Sequence, residues 1–400
     1  MDNILTRGFW GDEAWTVLIS KLPWLDLAKT TAADFHPPLY YTIIHFWMQI
    51  FGSGEVAVRM VSIIFWLLAG LAAYLFARKW LAAALVLFNP FVFAFAFEAR
   101  NYTLFVFLSL ASMWLFYKKS SWYLLPTILG LYTHYYMFFL VIAQYLFVFL
   151  FQREQLKKWL LWGVVLALLY IPWLPFFLSQ AKSVAGGYWI GTVHWDTIVG
   201  AILVLVTGEQ KMILTYLLPI VFIAFFVTAW RRTKENWLFF FWLAIPFGLP
   251  LVISLFRPIF FYRYLIFLSV PMMLWPLFMT KKVFWPTVLL IIYLLVDGVA
   301  FFGNTDRHFK PILKTVHDQA KSGDVIYTVL PSFAEVVYYN NYDGRPLPVK
   351  VVPIGLAQAS GKALLDTYVA KGYLTLENPP AYGRYWYLEP GPKYELVQKN

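Results

Sequence analysis

From residue 56 to residue 302 the chain is a succession of apolar runs, most of them ended by a short cluster of charge. About 20 mostly apolar residues span the hydrocarbon core of a bilayer. On that rule the runs 56–77, 80–97, 102–117, 158–178, 212–230, 236–256, 259–279 and 283–302 each read as a spanning helix. The stretch 121–151 is too long for one helix, and His134-Tyr135-Tyr136 divides it into two. The pattern predicts about ten spans.

The charges between the runs are not scattered. Alternate loops hold Arg78, Lys79, Lys118, Lys119, Arg153, Lys157, Lys158, Arg231, Arg232, Lys234, Lys281 and Lys282, against Glu154 and Glu235. Basic loops mark the cytoplasmic side of a membrane protein. The outer side then receives a mixed set that includes Asp12, Glu13, His36, Glu98, Arg100, His134 and Arg263. An even number of spans puts both chain ends outside, so either a further helix precedes residue 1, which is the expectation, or the N-terminus is translocated without one. Residues 1–35 read as an outer loop. The segment 37–51 is apolar and aromatic but short, and Pro37-Pro38 suits the first turn of a helix. It is expected to lie along the outer interface. The stretch 197–208 is expected to be a second such helix, in an outer loop from about 179 to 211 made mobile by Gly186-Gly187.

Beyond residue 302 the texture changes. Charges of both signs mix with Pro and Gly, and short apolar segments predict strands at 324–330, 349–353 and 384–388, with helices at 332–339 and 361–370. That alternation describes a small α/β domain outside the membrane. The expected fold class is an all-α polytopic membrane protein, a bundle of about ten spans plus interfacial helices, with a small C-terminal α/β extracytoplasmic domain. The expected division is a membrane domain over 1–302 and the α/β domain over 303–400. Within the first, 1–55 is an outer loop carrying the interfacial helix, and 56–302 is the bundle.

Composition agrees. The chain is 61% hydrophobic and 13% charged, whereas soluble domains run at about 45–50% apolar and 25% charged. A net charge of +11 raises nucleic-acid binding. Such binding needs a basic face on a soluble surface, and here the excess sits in the cytoplasmic loops. Nucleic acid is therefore not an expected partner. There is no cysteine, which removes disulfides, thiolate metal sites and cysteine nucleophiles.

Five motifs can carry chemistry. Gly11-Asp12-Glu13 places adjacent acids in the first outer loop. A carboxylate desolvated near a membrane is a candidate general base, and the competing reading makes Asp12 a helix N-cap. Asp34-Phe35-His36-Pro37-Pro38 fixes a histidine that can donate to phosphate or a sugar hydroxyl, although the prolines alone explain a stop and a start. Glu98-Ala99-Arg100-Asn101-Tyr102 either presents an arginine to an anion or forms a local surface pair. Tyr132-Thr133-His134-Tyr135-Tyr136 sets polar groups at an outer boundary, where aromatic side chains also form the interfacial belt. Arg263 falls inside a run, and an intramembrane arginine marks function, with a lipid phosphate as its natural ligand. Arg59 is similar but close enough to the surface to snorkel. No phosphate-cradling glycine loop, nucleophile elbow or zinc-protease signature occurs. Six scattered histidines argue against a histidine metal site; no motif calls for a cofactor, and a carboxylate-held divalent ion is left open.

Taken in order, Asp12-Glu13, His36-Pro37-Pro38-Leu39-Tyr40-Tyr41, Phe51-Gly52 with Glu55 and Arg59, Glu98-Ala99-Arg100-Asn101-Tyr102, Tyr132-Thr133-His134-Tyr135 and Arg263-Tyr264 resemble one group. It is the GT-C superfamily of polytopic glycosyltransferases, in particular the bacterial relatives of protein O-mannosyltransferases and lipid A aminoarabinose transferases. The resemblance covers about residues 8–275. It implies an inverting transferase of the bacterial cytoplasmic membrane, acting on the outer face with a polyprenyl-phosphate-linked sugar and a glycan, lipid or protein acceptor. Asp12, with Glu13 beside it, is then the general base or acceptor-orienting group. His36, Arg59, Glu98, Arg100, Tyr102, His134 and Arg263 are the expected substrate-binding residues, Arg263 holding the lipid phosphate. His36 departs from the lysine that relatives carry before the Pro-Pro. Members also begin with a membrane helix ahead of the acidic pair. The rival reading is a transporter or lipid flippase, which calls for inverted halves with broken helices; the sequence shows no such symmetry.

Overall fold

The computed structural model describes residues 3–185, 190–209, 212–231, 235–303, 309–341, 344–354, 361–391 and 393–399. Gly186-Gly187, Arg232 and Lys234 of the expected loops lie outside them. Two compact units form, one from residues 59–186 and 190–302, the other from residues 1–58 and 303–400.

The first unit is helical. Among the described residues five helices are long and apolar enough to cross a membrane: Glu55–Ala77, Arg153–Val184, Glu235–Ile253, Tyr262–Met279 and Phe284–Phe302. Shorter apolar helices cover Tyr102–Tyr117, Ser121–Leu131, Met137–Phe151, Trp195–Thr207 and Ile213–Ala229. The division of 121–151 thus falls where the polar tyrosines and histidine predict it. The run 80–97 is not one helix. It breaks into Trp80–Leu87 and Pro90–Ala96 because Asn89 caps a new start, its side chain accepting from the Phe91 and Val92 amides at 3.2 and 3.3 Å. Pro90 has no N–H with which to continue the first helix. Such a break is tolerated at membrane depth only if its polar groups are satisfied by protein. Asn89 also donates to the Leu205 carbonyl at 3.0 Å and to the Tyr293 hydroxyl at 3.3 Å. The run 259–279 opens as a 3-10 helix over Tyr262–Leu268 before Ser269–Met279 becomes α-helical. Its spanning window is 78% buried in protein. Elsewhere Leu67, Leu71, Leu160, Leu161, Leu168, Ile220, Val227 and Leu295 are exposed. Apolar surface on that scale belongs against lipid, and the protein is an integral membrane protein.

The second unit contains helices Gly11–Lys21, Trp24–Ala33 and Leu39–Phe51, the last starting after Pro37-Pro38 and ending at Gly52 with φ +80°. That positive φ is readily available only to glycine and closes the helix. Residues 303–400 add helices Phe309–Gln319, Leu330–Tyr339 and Lys362–Ala370 and five strands. These are β1 (Ile326–Thr328), β2 (Val349–Val351), β3 (Thr375–Leu376), β4 (Gly383–Glu389) and β5 (Lys393–Lys399). The sheet order is β3-β2-β1-β4-β5, parallel except for the antiparallel β4–β5 pair. Asp324 anchors it, accepting from Arg384 Nε at 2.9 Å, Trp386 Nε1 at 3.1 Å and the Lys321 amide at 3.0 Å. These hydrogen bonds hold its carboxyl below the usual carboxylate range despite burial. Residues 1–55, expected as an outer loop, are largely helical and fold with this domain. The Phe9 amide donates to the Tyr339 hydroxyl at 2.6 Å, and the Tyr368 hydroxyl donates to the Leu18 carbonyl at 3.1 Å.

Candidate functional site

In the membrane unit the loop carrying Glu98 and Arg100 is held by its backbone. Ser62 Oγ donates to the Glu98 carbonyl at 2.6 Å and approaches the Arg100 carbonyl at 3.3 Å. Asn101 then ties this loop to the Tyr132–Tyr136 motif, donating through Nδ2 to the Thr133 carbonyl at 3.1 Å. His134 stacks on Phe105 with centroids 4.7 Å apart and meets the edge of Tyr264 at 4.9 Å. Three motifs separated along the chain therefore converge through aromatic packing. His134 is buried, and its Nδ1 accepts from the Tyr136 amide at 3.2 Å.

Arg263 stands at the start of the 3-10 segment. Its guanidinium carbon lies 5.9 Å from the Phe95 centroid, 5.9 Å from Phe261 and 5.7 Å from Tyr262. Phe95 packs on Tyr102 at 4.5 Å, and Arg100 stands 5.7 Å from the Tyr102 centroid. Two guanidinium groups thus bracket one aromatic pair. Cation–π contact of this kind holds a guanidinium in place without consuming its hydrogen-bond donors. Arg263 is not solitary, because its Nε donates to Glu209 Oε1 at 3.1 Å and to the Tyr262 hydroxyl at 3.2 Å. Glu209 belongs to none of the five sequence motifs, although an acid next to Gly208 beyond the end of an apolar helix is a signal. Arg59 does not snorkel: it is fully buried, one turn before Ser62. An apolar cavity of about 260 Å³ lies in the same unit, lined among others by Leu205, Phe240, Leu243, Phe247, Leu268 and Met272.

In the other unit, helix Gly11–Lys21 is capped at Trp10, so Asp12 occupies its first turn and not the N-cap. Acids there are favoured by the amide dipoles of the helix start. Asp12 is half-buried and Glu13 fully buried. The Trp10 amide points to Glu13 Oε2 at 3.5 Å. Glu335, on helix Leu330–Tyr339, completes an acidic group that no sequence motif announced. Its carboxyl is pushed up to about 8 by burial and by the negative charges of Asp12 and Glu13. Near neutral pH it is mostly protonated, and so a hydrogen-bond donor among acceptors. His36 Nδ1 lies 3.4 Å from Asp34 Oδ2, and its ring meets Tyr41 edge-on at 6.3 Å. Among the described residues no group of three or more His, Cys, Asp or Glu side chains is placed to hold a metal.

Residues 35–176 match the family model described as dolichyl-phosphate-mannose-protein mannosyltransferase. That stretch contains His36, Arg59, Glu98, Arg100, Tyr102 and His134. No curated protein matches the chain. Among solved structures, ArnT from Cupriavidus metallidurans bound to undecaprenyl phosphate aligns with a TM-score of 0.61 at 13% identity, over 96% of this chain and 90% of that one. Its apo state aligns with a TM-score of 0.50 at 12% identity over the same shares. Both solved structures share the fold of this chain.

Proposed function

We propose that this chain, an integral-membrane glycosyltransferase of the GT-C superfamily, moves a hexosyl or pentosyl group from a polyprenyl-phosphate-linked donor to an acceptor hydroxyl. The reaction takes place at the outer face of the bacterial cytoplasmic membrane, where the C-terminal domain also lies. The observation that carries the reading is the pair of guanidinium groups, Arg100 and Arg263, set around Phe95 and Tyr102. Guanidinium forks suit phosphate oxygens, and aromatic neighbours keep them oriented. The apolar cavity beside Leu268, on the same 3-10 segment as Arg263, suits a prenyl chain.

The chemistry needs little else. The acceptor oxygen attacks the anomeric carbon on the face opposite the phosphate, the carbon–phosphate-oxygen bond breaks, and configuration inverts. The polyprenyl phosphate leaves with the electron pair, and Arg263 with Arg100 offsets the charge that develops on it. Asp12 takes the acceptor's proton, while protonated Glu335 restrains the local build-up of negative charge around Asp12. Glu98 and Tyr102 shape the donor side, with His134 and Arg59 holding that loop. His36 contributes a hydrogen bond to phosphate or sugar.

Membranes containing the protein, supplied with radiolabelled polyprenyl-phosphate sugar, are expected to transfer label to an acceptor. Arg263→Ala is expected to lower kcat/KM by about 100-fold or more, as loss of a charge-stabilising donor does. Label that crosses the membrane still attached to the lipid, with no cleavage, would overturn the reading in favour of a flippase.

A further inference from the structure

The unit formed by residues 1–58 and 303–400 contains a second cavity, about 510 Å³, lined by Lys21, Ser53, Glu55, Lys310, Tyr338 and Asn341 among others. That volume falls within the range of small-molecule sites, about 300–1,000 Å³. Lys21 ends the helix that Asp12 begins, and nine residues at 1.5 Å each separate the two by roughly 14 Å. The cavity is therefore distinct from the acidic group.

Its walls are fixed. The Tyr338 hydroxyl donates to the Ser53 carbonyl at 2.8 Å, the Tyr368 hydroxyl to the Leu18 carbonyl at 3.1 Å, and the Tyr339 hydroxyl to Glu55 Oε1 at 3.1 Å. With their hydroxyls committed, the tyrosines offer ring surface. Lys310 also donates to Glu55 Oε1, at 2.8 Å. Two lysines against one glutamate leave one unit of positive charge, and it resides on Lys21. A lysine in a last helical turn ordinarily extends into water. Lys21 keeps an exposed side chain, but its ammonium also lies 5.0 Å from the Tyr338 centroid, and partial desolvation lowers its pKa from the ordinary value. Among the described residues it has no carboxylate partner.

A localised cation, a carboxylate oxygen, an amide and aromatic surface form the chemistry that recognises a charged sugar. We infer that this cavity binds an anionic carbohydrate, a sugar bearing a phosphate or carboxylate. Lys21 faces the anion, Glu55 Oε2 and Asn341 face hydroxyls, and the tyrosine rings lie against the sugar's apolar face. The inference does not depend on the catalytic roles assigned above and stands if Asp12 proves not to be the base.

The test uses the full chain in phosphatidylcholine nanodiscs, with glucose 6-phosphate titrated calorimetrically. Saturable binding is expected, at least tenfold tighter than that of glucose or of inorganic phosphate alone. Lys21→Gln, at an exposed position, is expected to weaken it about tenfold or more with an unchanged unfolding midpoint, and Asn341→Ala to weaken it severalfold. Nanodiscs containing phosphatidylinositol separate the two sources. Competition with glucose 6-phosphate identifies a lipid headgroup as able to reach the cavity, and its absence identifies a soluble sugar. No saturable binding, equal affinity in Lys21→Gln, or inorganic phosphate binding as tightly as the sugar phosphate would each overturn the inference.

Discussion

Replacing Gly208 by alanine tests the link between one backbone conformation and Arg263, the residue proposed to hold the donor phosphate. Gly208 ends helix Trp195–Thr207 with φ +67° and ψ −168°, and its amide donates to the Val204 carbonyl at 2.9 Å. That region of backbone space is essentially reserved for glycine, and another residue there costs about 1–3 kcal/mol. A Cβ would also stand 2.9 Å from the Pro90 carbonyl carbon and Cβ, and 3.1 Å from the Phe91 nitrogen. Backbone cannot swing away as a side chain can, and overpacking of this kind adds about 1–3 kcal/mol. The loss expected is thus about 2–6 kcal/mol. Because Glu209 follows and pairs with Arg263, the displacement is also expected to raise the donor KM. Gly200→Ala on the same helix is the control. Nothing lies within 4 Å of the point its methyl group would occupy, and alanine improves helix propensity by up to about 1 kcal/mol. The assays are the thermal unfolding midpoint of purified protein and the donor KM. Equal stability and equal KM in the two variants would refute the reasoning.

Glu335→Gln is expected to flatten the pH dependence of stability. With its carboxyl at about 8 in the fold against an ordinary 4.5, the folded state holds the proton more tightly, so stability falls as pH rises through that window. The slope is at most roughly 1.4 kcal/mol per pH unit, and a wild-type slope retained in the glutamine variant would contradict the assignment. For orientation, the absence of cysteine makes single-cysteine labelling clean. Ser322→Cys is expected to react with an impermeant thiol reagent on intact cells and Lys118→Cys to resist it, both side chains being exposed. The reverse pattern would invert the proposed topology.

Apolar run length and the basic loops made the membrane class legible, because the bilayer imposes both on the sequence directly. The motifs at Glu98, Tyr132 and Arg263 were legible singly; their convergence rests on Asn101 bonding to Thr133 and on His134 stacking against Phe105, contacts that no spacing rule encodes. The break at Asn89-Pro90 was written in the sequence as an N-cap followed by proline, but continuous hydrophobicity on both sides masked it. Strands β3 and β5 escaped for different reasons. The first is two residues long, and the second is a polar edge strand whose partner β4 supplies its pairing. Glu335 was invisible because its shifted carboxyl depends first on burial in the fold and then on Asp12 and Glu13, more than 300 residues earlier in the chain.

Transfer of labelled sugar by Asp12→Asn protein tests the central claim most directly. The substitution keeps size and removes the proton-accepting charge, so loss of a general base is expected to slow transfer by about 100- to 10,000-fold. Protein level, unfolding midpoint and donor affinity are expected to stay near those of the parent. Transfer at the parental rate by the asparagine variant would contradict the account.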